Sequence, residues 1–431
     1  MGGSDDEGGG GRREGPVPPH GLAAYEKKGE DCSSVGYDKE GDAVYGVFDG
    51  HGGGGLARAC SAHAWRRKNL RDRFWKLDEK LGPKRMSEGT TVGLVFVEPH
   101  DAEKGSHVTC AWCGDSQIME LDMLEPSGES YWLSEAHDCD NAKEVSRMER
   151  HWKVRDLLGG EASREVAEDK EAARIQAAAA KVASATGASP EDADLLARSV
   201  DYERGVDAAL KHVAPSQMTR SKSRIARRYN EWTKKRTGPL IVEATWTDIK
   251  GVQVVGASTS VTRSIGDWDS PRVLIPEPGV REAWVPNGAF KRYIIASDGL
   301  WTYVDTPKIA KVAHNRRWAY DAQECATRLL TFCRESLAKK TANTAHPFLD
   351  DTTIMVIDVL PDPDNTPRVT ADKGTSGKQS GNSMSGMFSR SLSFGSAKST
   401  PEGSMDGSMA KSPSSVKSTG SSSFFSRGRK R

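Results

Sequence analysis

The sequence predicts an α+β fold in which strands are stacked into sheets and helices lie outside them. Two blocks of short apolar strands, at about 22–150 and from about 240 onward, are separated by a helical stretch of about 90 residues. Within the blocks the strands do not alternate one-to-one with helices, as they would in a doubly wound parallel sheet. The length of 431 residues accommodates one large domain with appendages or two ordinary domains.

The first block begins with strands rich in β-branched and aromatic residues. They are predicted at DAVYGVFD (42–49), TTVGLVFVE (90–98), HVTCAWCGD (107–115) and QIMELDM (117–123). Between the first two, residues 56–81 carry apolar side chains near helical spacing. That stretch is long enough for one long helix or two short ones.

The middle of the chain, about 152–236, predicts a helical insertion. Its Ala-rich, charged and Gly-free run REVAEDKEAARIQAAAAKVASA favours helix. Ser189 is placed as an N-cap, with Pro190 at the first helical position. The insertion ends in the basic stretch RSKSRIARRYNEWTKKR (220–236).

The second block returns to the strand pattern. Strands are predicted at LIVEATW (240–246), VQVVGAS (252–258), RYIIASD (292–298) and TTIMVIDVL (352–360). Residues 308–340 have the spacing of one or two amphipathic helices. Together the two blocks predict one domain over 22–361, interrupted by the insertion.

Both ends of the chain predict disorder. Residues 1–21 are Gly-rich and lack apolar periodicity. Residues 362–431 are Ser-rich, and from 365 onward they carry eleven Lys and Arg against three Asp and Glu, a net charge of +8. Because the whole chain carries +1, the remainder carries about −7. The ordered part is therefore mildly acidic and the tail is basic.

The cysteines and the hydropathy pattern indicate in which cellular compartment the protein is expected. Seven Cys at scattered spacing do not suggest a disulfide framework, and Cys110 and Cys113 read as small buried hydrophobes rather than metal ligands. No signal peptide is visible, and no apolar run reaches the 18 residues of a membrane span. We expect a monomer without a membrane span, located in the cytoplasm and/or the nucleus.

Carboxylates stand at the ends of the predicted strands. An acid at a strand end is individually typical of a turn. Five such ends, however, could bring their charges to one rim of a sheet pair, where they would repel one another unless cations neutralised them. An all-oxygen ligand set selects Mg²⁺ or Mn²⁺. The acids are Glu30, Asp31, Asp49, Asp115, Asp298, Asp350 and Asp351.

An ordered series of motifs runs through both blocks. It comprises FDGHGG (48–53), EGTT (88–91), CGDSQ (113–117), LSEAHD (133–138), NAKEVSRMER (141–150), SVTRSIGD (260–267), PEPGV (276–280), IIASDGLW (294–301) and DDTTIMVIDV (350–359). In order and rough spacing the chain resembles the metal-dependent Ser/Thr protein phosphatases of the type 2C family. The resemblance covers about 22–360, apart from the insertion.

This resemblance implies a β-sandwich of two antiparallel sheets flanked by helices, and an enzyme that acts on phosphorylated proteins. Two Mg²⁺ or Mn²⁺ ions would be held at one end of the sandwich, and a hydroxide bridging them would attack phosphorus in line. His51 corresponds to the family's general acid for the leaving oxygen. Asp49 corresponds to the carboxylate shared by both ions. The other implied metal positions are the Gly50 carbonyl, Glu30, Asp298, Asp350, Asp31 through water, and Asp115 in a weaker third site.

The chain also departs from the family pattern. The basic residue expected before the first acidic pair is replaced by Glu26, which leaves Lys27 or Lys28 to bind the substrate phosphate without the two-pronged geometry of Arg. Gln117, Ala136 and Thr302 stand where the family has Arg, Asp and Asp. Thr302 replaces an acid associated with the third metal, so this site is implied to be weak.

Two other functions remain open from the sequence. One is a catalytically weak or inactive phosphatase-like module that binds partners through the insertion and the tail. The other is a nucleic-acid binder acting through the basic stretch 220–236, whose affinity would fall steeply with salt. We rank nucleic-acid binding last, because charged stripes are usually solvated faces.

Overall fold

The structure, a computed structural model, describes only part of the chain. The described residues are 17–125, 128–158, 168–213, 224–230, 235–242, 246–247, 253–254, 258–268, 273–341 and 350–360. The tail predicted at 362–431 and the first 16 residues lie outside them, so their predicted disorder stays a prediction.

The described residues contain sixteen strands and eight α-helices. The strands are β1 (His20–Tyr25), β2 (Cys32–Tyr37), β3 (Ala43–His51), β4 (Gly89–Val97), β5 (Ser106–Cys113), β6 (Gln117–Asp122), β7 (Ser130–Trp132), β8 (Arg224–Asn230), β9 (Lys235–Val242), β10 (Trp246–Thr247), β11 (Gln253–Val254), β12 (Ser258–Thr259), β13 (Ile265–Gly266), β14 (Gly279–Val285), β15 (Lys291–Ala296) and β16 (Thr352–Val359). The helices are α1 (Gly55–Ser61), α2 (Leu70–Leu81), α3 (Ala142–Leu158), α4 (Glu168–Thr186), α5 (Pro190–Val213), α6 (Asp298–Trp301), α7 (Thr306–Ala313) and α8 (Ala322–Thr341). Short 3₁₀ turns occupy Gly82–Lys84 and Arg316–Trp318.

Two antiparallel sheets form the centre of the fold. The first has the order β1-β16-β15-β6-β7, and the second has the order β14-β5-β4-β3-β2, with β13 pairing to β4. Every pair within these sheets is antiparallel. The predicted α+β class, with two antiparallel sheets flanked by helices, is therefore confirmed.

Side chains from both sheets meet in a shared core. Tyr45 and Val47 of β3 pack there with Tyr293 and Ile295 of β15. The outer face of the first sheet packs on α7 and α8, and that of the second packs on α1 and α2. Because the central strands are buried on both faces, their sequences read as nearly continuous apolar runs rather than as alternation.

The insertion begins as a three-helix layer. Val154 of α3, Ile175 of α4 and Leu196 of α5 are buried against one another. The predicted cap of α5 is confirmed: the Ser189 hydroxyl accepts the Asp192 backbone N–H at 3.1 Å. The Asp192 carboxylate accepts the Ser189 N–H in return, so the start of α5 is fixed on both sides.

Two predicted boundaries are wrong. The insertion was predicted to be helical as far as residue 236, but β8 and β9 pair antiparallel, with Ile225 opposite Ile241. The Gly238-Pro239 pair breaks helix, and the apolar run that follows it gives β8 a strand partner. At the N-terminus, disorder was predicted up to residue 21, but β1 begins at His20, which pairs with Ile357 of β16.

Other element predictions are resolved by the structure. The stretch 56–81 contains two helices, α1 and α2, and the stretch 308–340 also contains two, α7 and α8, which are separated by residues 314–321. All seven cysteines lie within the described residues, and none of them forms a disulfide there. Cys110 and Cys113 are fully buried, as predicted for small hydrophobes. In the part of the chain that the structure describes, no helix is long and apolar enough to cross a membrane.

Candidate active site

The strand register brings the predicted acids to one edge of the sandwich. Asp49, near the end of β3, lies opposite Thr91, close to the start of β4. Val92 lies opposite Cys113, the last residue of β5, so Asp115 follows at the same edge. Asp31 immediately precedes β2, whose first residue pairs near the end of β3. The second sheet therefore presents three acids at one rim.

The first sheet presents its acids at the same rim. Ala296, the last residue of β15, lies opposite Ile354 near the start of β16. Asp298 follows β15, and Asp350 precedes β16. These acids lie close enough to those of the second sheet to affect their pKa values. Burial raises the pKa of Asp49 well above its usual value, and the charges of neighbouring acids raise it further. Those neighbours are Asp31, Asp298, Asp115 and Asp350.

Three other acids of the rim respond in the same way. Burial, followed by the charges of neighbouring acids, raises the pKa of Asp298 well above its usual value. Burial is also the main reason why the pKa values of Asp31 and Asp115 are raised to about 6. Like charges held this close favour either protonation or a bound cation.

One lysine lies among the acids. The Lys28 ammonium contacts Asp350 Oδ1 at 2.5 Å and lies 4.0 Å from Glu30 Oε2. Burial lowers the pKa of Lys28, but its hydrogen bond and charge interactions with Asp350 outweigh burial and raise it. Lys28 was predicted as a phosphate ligand; in the structure it neutralises a predicted metal ligand, and its role toward phosphate stays a prediction, as does that of Lys27.

Asp351 anchors the loop that carries several of these residues. Its carboxylate accepts the backbone N–H groups of Lys27 at 2.5 Å and of Lys28 and Glu30 at 2.7 Å each. A fourth, longer bond comes from Asp31 at 3.4 Å. Sequence reasoning missed this role because it placed Asp351 only among the acids at strand ends.

His51 is held by a residue to which the sequence assigned no role. Its Nε2 lies 2.7 Å from Asp267 Oδ2, which also accepts the Ser264 hydroxyl at 2.6 Å. Burial lowers the pKa of His51, but the charge and hydrogen bond of Asp267 outweigh burial and raise it. Asp267 is the last residue of the SVTRSIGD motif. Its place in that motif is the sequence feature from which a functional role could have been predicted.

The close approach of this pair requires a glycine at position 89. A Cβ added to Gly89 would lie 2.1 Å from His51 Nε2 and 2.3 Å from Asp267 Oδ2. No side chain fits at that distance. Gly50 is similarly crowded, since a Cβ there would lie 2.6 Å from the Glu30 carbonyl oxygen. Glycines therefore let the backbone and the functional side chains pack together at this rim.

Asp115 has an acidic neighbour that the sequence did not assign. After burial, the charge of Asp138 is the largest cause that raises the pKa of Asp115, whereas His51 opposes the rise. Thr302 stands where the family has an acid associated with the third metal. It follows α6 and donates its backbone N–H to the Asp298 carbonyl oxygen. Thr302 brings no carboxylate to the rim, whereas Asp138 lies close enough to Asp115 for their charges to interact.

The donor set consists of oxygen atoms and therefore suits hard divalent cations. Among the described residues, no three His, Cys, Asp or Glu side chains converge closely enough to hold a metal ion. Asp31 Oδ1 is nevertheless buried without a hydrogen-bond partner in the described part of the chain. An unpaired carboxylate oxygen among mutually repelling acids fits a site that takes up Mg²⁺ or Mn²⁺.

Comparison with known proteins identifies the family. A model of the protein phosphatase 2C family matches residues 23–152 and 245–342, more than half of the 431 residues. The chain belongs to the protein phosphatase 2C family. The matched stretches lie on either side of residues 153–244, which include most of the insertion. Asp350 and Asp351 lie beyond the second stretch.

Individual relatives in the family are distant. The chain is similar to probable protein phosphatase 2C 15 of Oryza sativa subsp. japonica, with 24% identity over 373 residues that cover 80% of this chain and 60% of that protein. It is also similar to probable protein phosphatase 2C 5 of Arabidopsis thaliana, with 33% identity over 101 residues, 23% of this chain and 20% of that protein. The chain thus spans less than two thirds of the length of these curated relatives.

One solved structure aligns with this chain at low identity. The serine-threonine phosphatase 2C from Toxoplasma gondii aligns with a TM-score of 0.48 and 14% identity, covering 80% of this chain and 98% of that one. Membership in the phosphatase 2C family rests on the sequence match, and the fold rests on the strand pairing described above.

Proposed function

We propose that this chain is a metal-dependent protein phosphatase that hydrolyses phosphoserine and phosphothreonine in protein substrates. The observation that carries the proposal is the shared rim of the two sheets, where the strand register brings half-buried acids from both sheets together. Partial burial, and then the charges of neighbouring acids, raise the pKa values of Asp49 and Asp298 there. Membership in the phosphatase 2C family supports the same activity. Two Mg²⁺ or Mn²⁺ ions are the proposed cofactors.

The chain's own oxygen donors would hold the two ions. When bound, such ions lower the pKa of water towards neutrality and neutralise the charge on phosphoryl oxygens. The proposed donors are Glu30, Asp31, Asp49, the Gly50 carbonyl, Asp298 and Asp350, with Asp115 for a weaker third ion.

His51 would provide the proton for the leaving oxygen. Its Nε2 is engaged by Asp267, so Nδ1 is the atom from which a proton would pass to the departing serine or threonine oxygen. The raised pKa of His51 favours the protonated ring that this step requires. Lys27 and Lys28 lie on the loop beside the rim and would attract the substrate phosphate.

The test is hydrolysis of a phosphothreonine peptide by the full chain. We expect turnover that requires added Mn²⁺ or Mg²⁺, stops in chelator, and falls at least about 100-fold in Asp49→Asn and Asp298→Asn. Asp122→Asn is the matched control, because Asp122 ends β6 and pairs with Lys291. Full turnover in chelator, or undiminished activity of both rim variants, would refute the proposal.

A second candidate is a phosphatase-like module that binds partners through its insertion and tail with little or no catalysis. One observation favours it: the Lys28 ammonium already contacts Asp350 and approaches Glu30, two of the proposed ligands. Titration calorimetry with Mn²⁺ separates the two candidates. Binding of two ions supports the phosphatase, whereas no measurable binding supports the non-catalytic module.

A further inference from the structure

The insertion makes direct contact with helix α2, which lies outside it. Tyr202, on α5, packs edge-on against Trp75 of α2, with ring centroids 5.1 Å apart. The Arg198 guanidinium, one turn earlier on α5, lies over the same Trp75 ring, 4.8 Å from its centroid. Helix α5 is thus fixed against α2 by an aromatic and a cation–π contact.

At this contact, a buried carboxylate collects hydrogen bonds from two directions. Asp78 of α2 is fully buried. Its Oδ2 accepts the Tyr202 hydroxyl at 2.7 Å and the Trp268 indole N–H at 3.0 Å. Its Oδ1 accepts the Gly266 backbone N–H at 2.6 Å. One carboxylate therefore joins the insertion to residues 266 and 268.

Residues 266 and 268 flank the partner of His51. Asp267 has a left-handed backbone conformation, with φ of +57°, which only a few per cent of residues with a side chain adopt. Its backbone N–H donates to the Glu88 carbonyl oxygen at 2.9 Å, while its carboxylate receives His51. The hydrogen bonds that Asp78 accepts from Gly266 and Trp268, on either side of Asp267, therefore help to hold Asp267 in the uncommon backbone conformation that meets His51.

We infer that Tyr202 of the insertion is a positioning residue for His51, acting through Asp78 and the loop 264–268. The inference rests on the proposed phosphatase function. Tyr202 lies between the two stretches that match the family model. The connection is therefore a property of this chain's insertion. Through Tyr202, the insertion contributes to the position of His51 and is more than a solvent-exposed addition to the fold.

Loss of the Tyr202 hydroxyl should affect one step of the reaction more than the others. Misplacement of Asp267 would disturb His51, whose proton is needed when the leaving oxygen departs. That interaction exists only in the transition state, so the loss appears in kcat rather than in KM. A serine or threonine alkoxide needs the proton, whereas p-nitrophenolate is stable enough to leave without it.

The experiment compares Tyr202→Phe with the wild-type full chain at saturating Mn²⁺. For a phosphothreonine peptide we expect kcat to fall about 10-fold, a fraction of the effect of a complete general acid, with KM within about two-fold. For p-nitrophenyl phosphate we expect kcat to change by less than about two-fold. Tyr131→Phe is the matched control, since Tyr131 is exposed and its hydroxyl donates to Glu129.

A double-mutant cycle tests whether the effect passes through His51. In a His51→Gln background, Tyr202→Phe should produce no further loss on the peptide. Equal losses on both substrates, or losses that multiply in the double variant, would overturn the inference while leaving the phosphatase function intact. If Tyr202→Phe does not fold, Trp268→Phe removes another donor to the same Asp78 oxygen and should give the same substrate-selective loss.

Hydrogen exchange provides a readout that needs no activity. The Gly266 amide, which donates to Asp78, should exchange at least several-fold faster in Tyr202→Phe and at the wild-type rate in Tyr131→Phe. Unchanged protection of Gly266 would overturn the inference even if the chain proved not to be a phosphatase. Absence of metal-dependent turnover in the wild type, with faster Gly266 exchange in the variant, would overturn the proposed function and leave only a structural connection.

Discussion

Replacement of Asp351 by Ala should release the loop that carries Glu30 and Asp31. The Asp351 carboxylate is 3% exposed and accepts four backbone N–H groups, three of them at 2.5–2.7 Å. Because the carboxylate is the shared acceptor for the whole turn, its loss removes all four bonds together. The loop should then lose its fixed position relative to the acids of the rim.

The expected cost follows from the number and kind of these bonds. A hydrogen bond to a charged acceptor contributes about 1.5–3 kcal/mol. Because the loop is partly exposed, water can bind the freed N–H groups, so we expect the three short bonds to give a total loss of roughly 3–5 kcal/mol in the free energy of unfolding. Asp351→Asn retains one carbonyl acceptor and should lose about half as much.

Urea unfolding measures this loss, and amide exchange at Lys27, Lys28 and Glu30 locates it. Asp305→Ala is the control, because Asp305 is exposed and its ion pair with Lys308 lies at the surface, where such pairs contribute at most about 1 kcal/mol. A loss below about 1 kcal/mol in Asp351→Ala, with unchanged exchange at the three amides, would refute the reasoning.

Three further outcomes are expected. Gly89→Ala places a Cβ against the His51 ring and should lower kcat on a phosphopeptide at least about 10-fold, whereas Gly36→Ala, which has open space within 4 Å of the added Cβ, should be neutral in the same assay. Burial raises the pKa of Asp78 from its usual 3.8 to about 7. Between these values the folded chain keeps a proton that the unfolded chain has lost, so unfolding free energy should fall by up to about 4 kcal/mol as pH rises through this window, and Asp78→Asn should flatten that slope in urea titrations. Burial alone would raise the pKa of Asp351, but the backbone N–H donors outweigh burial and lower the pKa. The stability that the ionised Asp351 gives to the folded chain should therefore be fully present above pH 3.8 and be lost as the pH falls further. Acid unfolding of Asp351→Asn should not show this loss.

The sequence predicted the sandwich well because its strongest signals are local. The runs around Val47, Val95 and Ile295 are apolar over whole strands, since both faces of each sheet are covered, and their ends carry the acids that meet at the rim. The predicted strands at 42–49 and 90–98 agree with β3 and β4 within two residues at each end. The apolar pattern alone would not have divided these strands between two sheets. That division came from the family resemblance, which the order of the motifs carries.

The errors and omissions arise where contacts between residues far apart in the sequence determine the secondary structure or the role of a side chain. Residues 224–230 were predicted as part of the helical insertion 152–236, but they form β8, for which β9 provides a strand partner that only the fold reveals. Asp351 was passed over because its acceptor role depends on a loop more than 300 positions away in the sequence. Asp78 lies within a predicted helix, and nothing in its local sequence indicates that it would bind both Tyr202 and the loop at Gly266.

The account depends above all on the two-cation centre at the rim of the sandwich. The most direct measurement is an anomalous-scattering crystal structure of the full chain grown with Mn²⁺. The account predicts two peaks roughly 4 Å apart, with Asp49 oxygens about 2.1 Å from both ions and with Asp298 on one of them. A fully ordered rim without peaks at saturating Mn²⁺, or with the Lys28 ammonium still on Asp350 in their place, would contradict it.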